Sequence, residues 1–135
     1  KEYPLILTTG ARKFTSFHSE HRQIPTLREI DPDPIVEINT ETAKKMGIKE
    51  GDWVMMENMF GKAKSRVHLT PCIHPQVVHA THGWWFPEQS GEEPNLFGVW
   101  EANVNTLVPH KHIGRLGFGA PLKQMICKVS PCEGI

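Results

Sequence analysis

The stretch "PIVEINTETAKKMGIKEGDWVMMEN", residues 34–58, decides how this chain folds. From Ile35 to Asn39 the side chains alternate, with Val36 and Ile38 facing one way and Ile35, Glu37 and Asn39 the other. That is the period of a half-buried strand. Asn39 or Thr40 then caps a short helix, "ETAKKMG", with Glu41 near its positive end. Ala43 and Met46 fall on one side of that helix, and Gly47 supplies its stop. Gly51 and Asp52 make the next turn, and "WVMMEN" begins a new strand.

The same short-strand grammar continues on either side of this stretch. Met59 to Lys62 connect "WVMMEN" to a second arm, "AKSRVHL", which Pro71 ends. "HPQVVHATHG" contains a further strand. "YPLILTTG" supplies one near the start, with Leu5 and Leu7 on a common side, and "PLKQMICKVS" one near the end. Between the first two strands lies a polar excursion, "ARKFTSFHSEHRQIPTLREIDPDP". Five or six strands, one helix and many glycine turns make a small, mainly β barrel a better solution than a helical or doubly wound fold. No stretch has the composition of a domain linker, so residues 1–135 are expected to form a single domain.

Composition narrows the function classes. Lysine plus arginine equals aspartate plus glutamate at 15 each, so no global field favours nucleic acid or an anionic membrane. No apolar run approaches the roughly 20 residues of a membrane span, so direct membrane insertion is not expected. The opening "KEYPLILTTG" lacks the form of a targeting signal, and localisation is left open. Cys72, Cys127 and Cys132 sit at no zinc or iron–sulfur spacing, although Cys127 and Cys132 could pair with each other. His18 and His21 are near neighbours but lack convincing third and fourth zinc ligands. Ser19, His21 and Asp31 lack the strained elbow that a hydrolytic nucleophile needs.

The chemistry concentrates in irregular segments. Thr8, Thr9 and Gly10 end a strand in a turn that offers hydroxyls and backbone N–H groups beside a ligand. Arg12 can reach a phosphate as a bidentate donor. Residues 79–112 hold Trp84, Trp85 and Trp100 with Asn95, Asn103 and Asn105 and no clean period. Such a stretch is either a loop pinned by aromatics or the wall of a pocket belonging to something larger. Trp84, Trp85, Phe86, Phe97 and Trp100 exceed what so small a barrel needs inside, so some are expected to face a partner domain. Glu88, Glu92 and Glu93 read as solvated. Lys111, His112 and Arg115 suit either a phosphate or an acidic neighbour.

In order, "LTTGAR", "FHSEHRQIPTLRE", "PIVEINTETAKKMGIKEGDWVMMEN", "GWWFPE" and "NLFGVWEANVNTL" resemble the C-terminal, molybdopterin-dinucleotide-binding domain of the dimethyl sulfoxide reductase superfamily. The resemblance spans nearly the whole chain and implies a double-psi β-barrel. It also implies molybdopterin guanine dinucleotide as ligand, in the bis form with molybdenum or tungsten in the parent enzyme. The chain would then be one domain from the C-terminus of a much larger anaerobic oxidoreductase. Its partners would be the parent's remaining domains and an electron-transfer subunit, and an iron–sulfur cluster would be bound elsewhere in the parent. "ANVNTL" and "GWWFPE" lean toward the thiosulfate and polysulfide reductase branch.

The same resemblance places His18 and Ser19, His82 and Gly83, and Asn103 and Asn105 near the cofactor, beside Thr8, Thr9, Gly10 and Arg12. In related sequences the arginine follows the glycine directly, whereas here Ala11 intervenes. Imidazole, hydroxyl and amide groups both donate and accept, which suits the mixed edge of a pterin. No catalytic or metal-ligating residue is expected in this segment. The alternatives are a separate small cofactor-binding subunit and a noncatalytic double-psi interaction module.

Overall fold

The computed structural model describes residues 2–10, 13–111, 119 and 121–135. Its six strands are β1 (Leu5–Thr9), β2 (Ile35–Asn39), β3 (Trp53–Glu57), β4 (Lys62–Thr70), β5 (Val77–Ala80) and β6 (Met125–Pro131). They close into a barrel in the order β1, β5, β2, β4, β3, β6. The β1–β5 and β2–β4 pairs run parallel, and the remaining neighbours run antiparallel. Parallel neighbours cannot be joined by a tight hairpin, so each such pair needs a crossover connection. A closed six-stranded barrel with two parallel pairs, β2–β4 nested within β1–β5 along the chain, is the expected double-psi β-barrel.

Alternation sets the register. Leu5 and Leu7, Val36 and Ile38, Val54 and Met56, and Val78 and Ala80 all point inward and are buried. Slipping β2 by one residue would turn Val36 and Ile38 out to water, at roughly 1.5–3 kcal/mol for each side chain. Among the described residues three α-helices accompany the strands: α1 (Pro25–Ile30), α2 (Thr40–Met46) and α3 (Val99–Ala102). In α2 the Asn39 side chain accepts from the Glu41 N–H, Ala43 is buried, and Gly47 closes the helix at φ 69°. That matches the sequence reading.

The chain carries more helix than the single one expected. Pro25 opens α1, where its fixed φ is helical and its missing N–H costs nothing, yet α1 buries no side chain. A helix that buries nothing leaves no apolar period to read. The suggested Cys127–Cys132 pairing is also corrected, because both thiols are free. Cys127 points into the barrel core from β6, while Cys132 lies just beyond that strand's end. Five residues of extended chain separate their backbones by roughly 16 Å, well past the ~7 Å limit for a bridge.

Candidate functional site

One end of the barrel gathers the expected chemistry, and the strand directions explain why. β1 and β5 are parallel with Thr9 opposite Ala80, so Gly10 and the Thr81–Gly83 segment emerge side by side. β6 is antiparallel to β1 with Leu7 opposite Met125, so Leu122 and Lys123, which lead into β6, arrive at the same end. A 3-10 turn, Val104–Leu107, is held across the barrel by the β3–β4 connection. The Asn58 amide donates to the Leu107 carbonyl at 2.9 Å, and its oxygen accepts from the N–H groups of Phe60 and Gly61. The Thr106 hydroxyl donates to the Lys62 carbonyl at 2.9 Å.

Among these pieces lies a cleft of about 580 Å³. Of the expected residues it is lined by Thr9, Gly10, His18, His82 and Asn105, which lie far apart in sequence. His18 Nδ1 and His82 Nε2 meet at 3.3 Å, with the rings edge to face and their centroids 5.5 Å apart. One imidazole donates and the other accepts. Gly10 has φ +96°, and a Cβ there would come within 2.7 Å of the Lys123 ammonium. That ammonium donates to the Thr9 carbonyl. The Thr9 hydroxyl is itself taken up by the Leu122 carbonyl at 3.2 Å.

The other expected residues sit differently. Ser19 packs against Gly83, 3.2 Å from where a Cβ would stand on that glycine. Thr8, one residue before Thr9, faces the outside of the barrel, where its hydroxyl meets His79 Nδ1 at 2.5 Å. Burial pushes the His79 imidazole below its ordinary pKa, aided by the Lys123 charge and opposed by Glu37. Asn103 uses its side-chain oxygen to cap the 3-10 turn, accepting from the Asn105 N–H at 3.0 Å. An extended segment would have put both asparagines on one side, but the turn separates their roles. Arg12, His112 and Arg115 lie outside the described residues.

Lys123 and His110 also line the cleft and were not anticipated. Lys123 stands more than 110 residues from Gly10, and only the β1–β6 pairing brings it close, so a linear reading carries no signal for it. Arg22 was missed as well. The residue is 4% exposed, and its guanidinium donates to the carbonyls of Gly83, His18 and His82 at 3.3, 3.2 and 3.0 Å. It stacks 4.2 Å from the centroid of Trp84. Burial and the neighbouring Arg28 charge lower its pKa to about 10, against the pull of Asp31, so it stays charged at neutral pH.

Residues 79–112 thus divide their aromatics. Trp84 and Phe86 are buried with Ala102 in a small second core beside the barrel. The Trp85 indole donates to the Ser19 carbonyl at 2.5 Å, and its ring meets Phe97 edge to face. Phe97 and Trp100 remain 40% and 60% exposed. Glu88, read as solvated, is more than half exposed but pairs with Arg28 at 2.8 Å. Among the described residues no group of three or more histidine, cysteine or acidic side chains is placed to hold a metal.

A second cleft, about 630 Å³, lies over the outer face of β2, β4 and β5. It is slightly larger, but most of its charges are already paired: Lys13 with Asp31, Arg66 with Asp33 and His68 with Glu50.

Comparison with known proteins accords with this geometry. The family described as "Molydopterin dinucleotide binding domain" matches residues 5–126. Dopamine dehydroxylase from Eggerthella lenta is 43% identical over 111 residues, covering 82% of this chain and 10% of that protein. Acetylene hydratase from Syntrophotalea acetylenica is 35% identical over 91 residues, covering 67% of this chain and 12% of that protein. The solved acetylene hydratase from Pelobacter acetylenicus superposes with a TM-score of 0.90 at 28% identity, over 97% of this chain and 19% of that one. The chain therefore spans about a tenth of the length of these curated relatives.

Proposed function

The chain belongs to the molybdopterin dinucleotide-binding domain family, and on that premise we propose that its first cleft holds molybdopterin guanine dinucleotide for a much larger molybdenum or tungsten oxidoreductase. The convergence of Thr9, Gly10, His18, His82 and Asn105 on one cleft carries this reading. The donor set fits such a ligand. The Asn105 amide and the two imidazoles offer both donors and acceptors to a fused heterocycle, and Lys123 offers a cation to a phosphate. The missing Cβ at Gly10 leaves room for the Lys123 ammonium beside the backbone.

In this reading Gly10, His18, His82 and Asn105 contact the ligand, and Thr9 lines its seat. Arg12 adds a phosphate donor. Ser19 and Gly83 form the wall behind the imidazoles, while Thr8 and Asn103 support the strand end and the turn. The bound group supplies two-electron redox chemistry at its metal; this chain binds it, orients it and shields it from water. The small share of each relative that the chain covers supports a single domain within a large catalytic subunit. That subunit carries the bis form of the cofactor, an iron–sulfur cluster elsewhere and contacts to an electron-transfer subunit. The relatives are named as a dehydroxylase and a hydratase, so substrate choice is assigned to the parent's other domains.

The test uses the intact parent polypeptide. Guanine nucleotide released on denaturation is counted per molecule for the parent protein and for Asn105→Ala and Arg12→Ala. About two nucleotides per metal are expected in the parent protein, with a clear loss in both variants. Unchanged nucleotide in both variants would remove this cleft from the binding site.

A further inference from the structure

The loop bearing His18 is held by a buried cation that no ligand role requires. His18 and His21 both lie at positive φ, 52° and 74°, in the region that side chains other than glycine rarely adopt. Two such residues in one short loop need an external clamp, and Arg22 is placed to be it. Its Nη2 reaches back to the His18 carbonyl and across to the His82 carbonyl, while its Nε reaches Gly83. His18 and His82 are the residues whose imidazoles meet in the cleft.

A buried guanidinium is costly unless its donors are met, and among the described residues no carboxylate is hydrogen-bonded to this one. It is met instead by backbone carbonyls and by the face of Trp84, which is itself fully buried. Arg28 stacks on the same ring at 5.0 Å but pairs with Glu88 and has no bond to either histidine. The two arginines therefore share one platform, and only Arg22 is tied to the cleft.

We propose that Arg22 is a positioning residue: by clamping the His18 and His82 carbonyls together it sets the imidazole pair that faces the dinucleotide. Its planar fork suits the task, because two nitrogens reach three carbonyls from one fixed plane. A lysine ammonium keeps the charge but lacks that plane. This proposal rests on the reading of the cleft as a dinucleotide site, and its test separates the two.

The experiment uses the intact parent protein, Arg22→Met, Arg22→Lys and Arg28→Met. After removal of bound nucleotide, each is treated with diethyl pyrocarbonate, and modification of individual histidines is followed by peptide mass spectrometry. His68 and His74 serve as internal references. Reaction at His18 and His82 should rise at least fivefold relative to those references in Arg22→Met and measurably in Arg22→Lys, and stay at the parent level in Arg28→Met. In parallel, guanine nucleotide should leave the untreated Arg22 variants at least tenfold faster, with Arg22→Lys keeping a melting temperature close to the parent's.

If His18 and His82 keep their relative reactivity in Arg22→Lys, or if Arg28→Met changes them as much as Arg22→Met does, the positioning role is overturned. The lysine variant carries the decision should the methionine variant fail to fold. If the parent protein holds no guanine nucleotide while the Arg22 variants still free the imidazole pair, the dinucleotide reading falls and the clamp stands.

Discussion

Replacing Gly61 with alanine pushes a methyl group into the turn that carries Asn105. A Cβ at Gly61 would lie 3.0 Å from the Thr106 carbonyl carbon and 3.3 Å from the Thr106 Cβ, with the carbonyl oxygen nearer still. The closest of these atoms are backbone, so no rotamer change relieves the contact and the turn must retreat. Retreat strains the bond from Asn58 to the Leu107 carbonyl and the bond from Thr106 to the Lys62 carbonyl. Overpacking of this kind costs about 1–3 kcal/mol, and one weakened hydrogen bond adds about 1 kcal/mol.

Local opening of residues 103–108 should therefore become easier by roughly 2–4 kcal/mol, or about 30- to several hundred-fold in rate of exchange. Hydrogen exchange read by mass spectrometry on the intact protein measures this directly. Gly47→Ala is the control: nothing lies within 4 Å of its added Cβ, and its cost comes only from φ +69° at the end of α2. Exchange in 103–108 within twofold of the parent in Gly61→Ala would refute the packing argument. An equal acceleration of that segment in Gly47→Ala would refute it too.

Two further outcomes follow from individual side chains. The Cys127 thiol, buried in the core, is pushed up to about 12 by burial, whereas Cys72 is exposed. Iodoacetamide at pH 8 should label Cys72 within minutes and Cys127 only after denaturation, and early labelling of Cys127 would contradict the packing of β6. Burial pushes the Asp31 carboxyl up, but hydrogen bonds from Lys13 and Thr15 and the nearby positive charges outweigh it and hold the group below its ordinary 3.8. Its contribution to stability is present above that ordinary value and is lost as pH falls through the lower folded-state value. Asp31→Asn should therefore lower the melting temperature at pH 7 and flatten its decline below about pH 4; an unchanged acid limb would be the contrary result.

The barrel was legible because its signals are local and periodic. Val36 and Ile38 alternate with Glu37, Asn39 caps the next helix, and Gly47 ends it, so strand, cap and stop lie within one short stretch. α1 escaped notice because it buries nothing, and the 3-10 turn at Val104–Leu107 because two spaced asparagines fit an extended segment equally well. The resemblance, rather than residue type, singled out His18, His82 and Asn105, which the fold brings to the cleft wall. Lys123 was not singled out, since its place depends on β6 running antiparallel to β1 across the whole chain. Nor was Arg22 as a clamp, because an arginine in a polar loop looks solvated until Trp84 and the surrounding carbonyls bury it. Charges that bond to backbone leave no trace in a pattern of apolar residues.

The proposed ligand site lies at the barrel end where β1, β5 and the approach to β6 meet. The most direct measurement is a structure of the intact parent protein with its ligand bound, and the distances from that ligand to the Asn105 amide and the two imidazoles. A molybdopterin guanine dinucleotide is expected in this cleft, within hydrogen-bond distance of Asn105 and of His18 or His82, and passing over Gly10. A dinucleotide seated on another face of the barrel, with this cleft filled by side chains of a neighbouring domain, would contradict it.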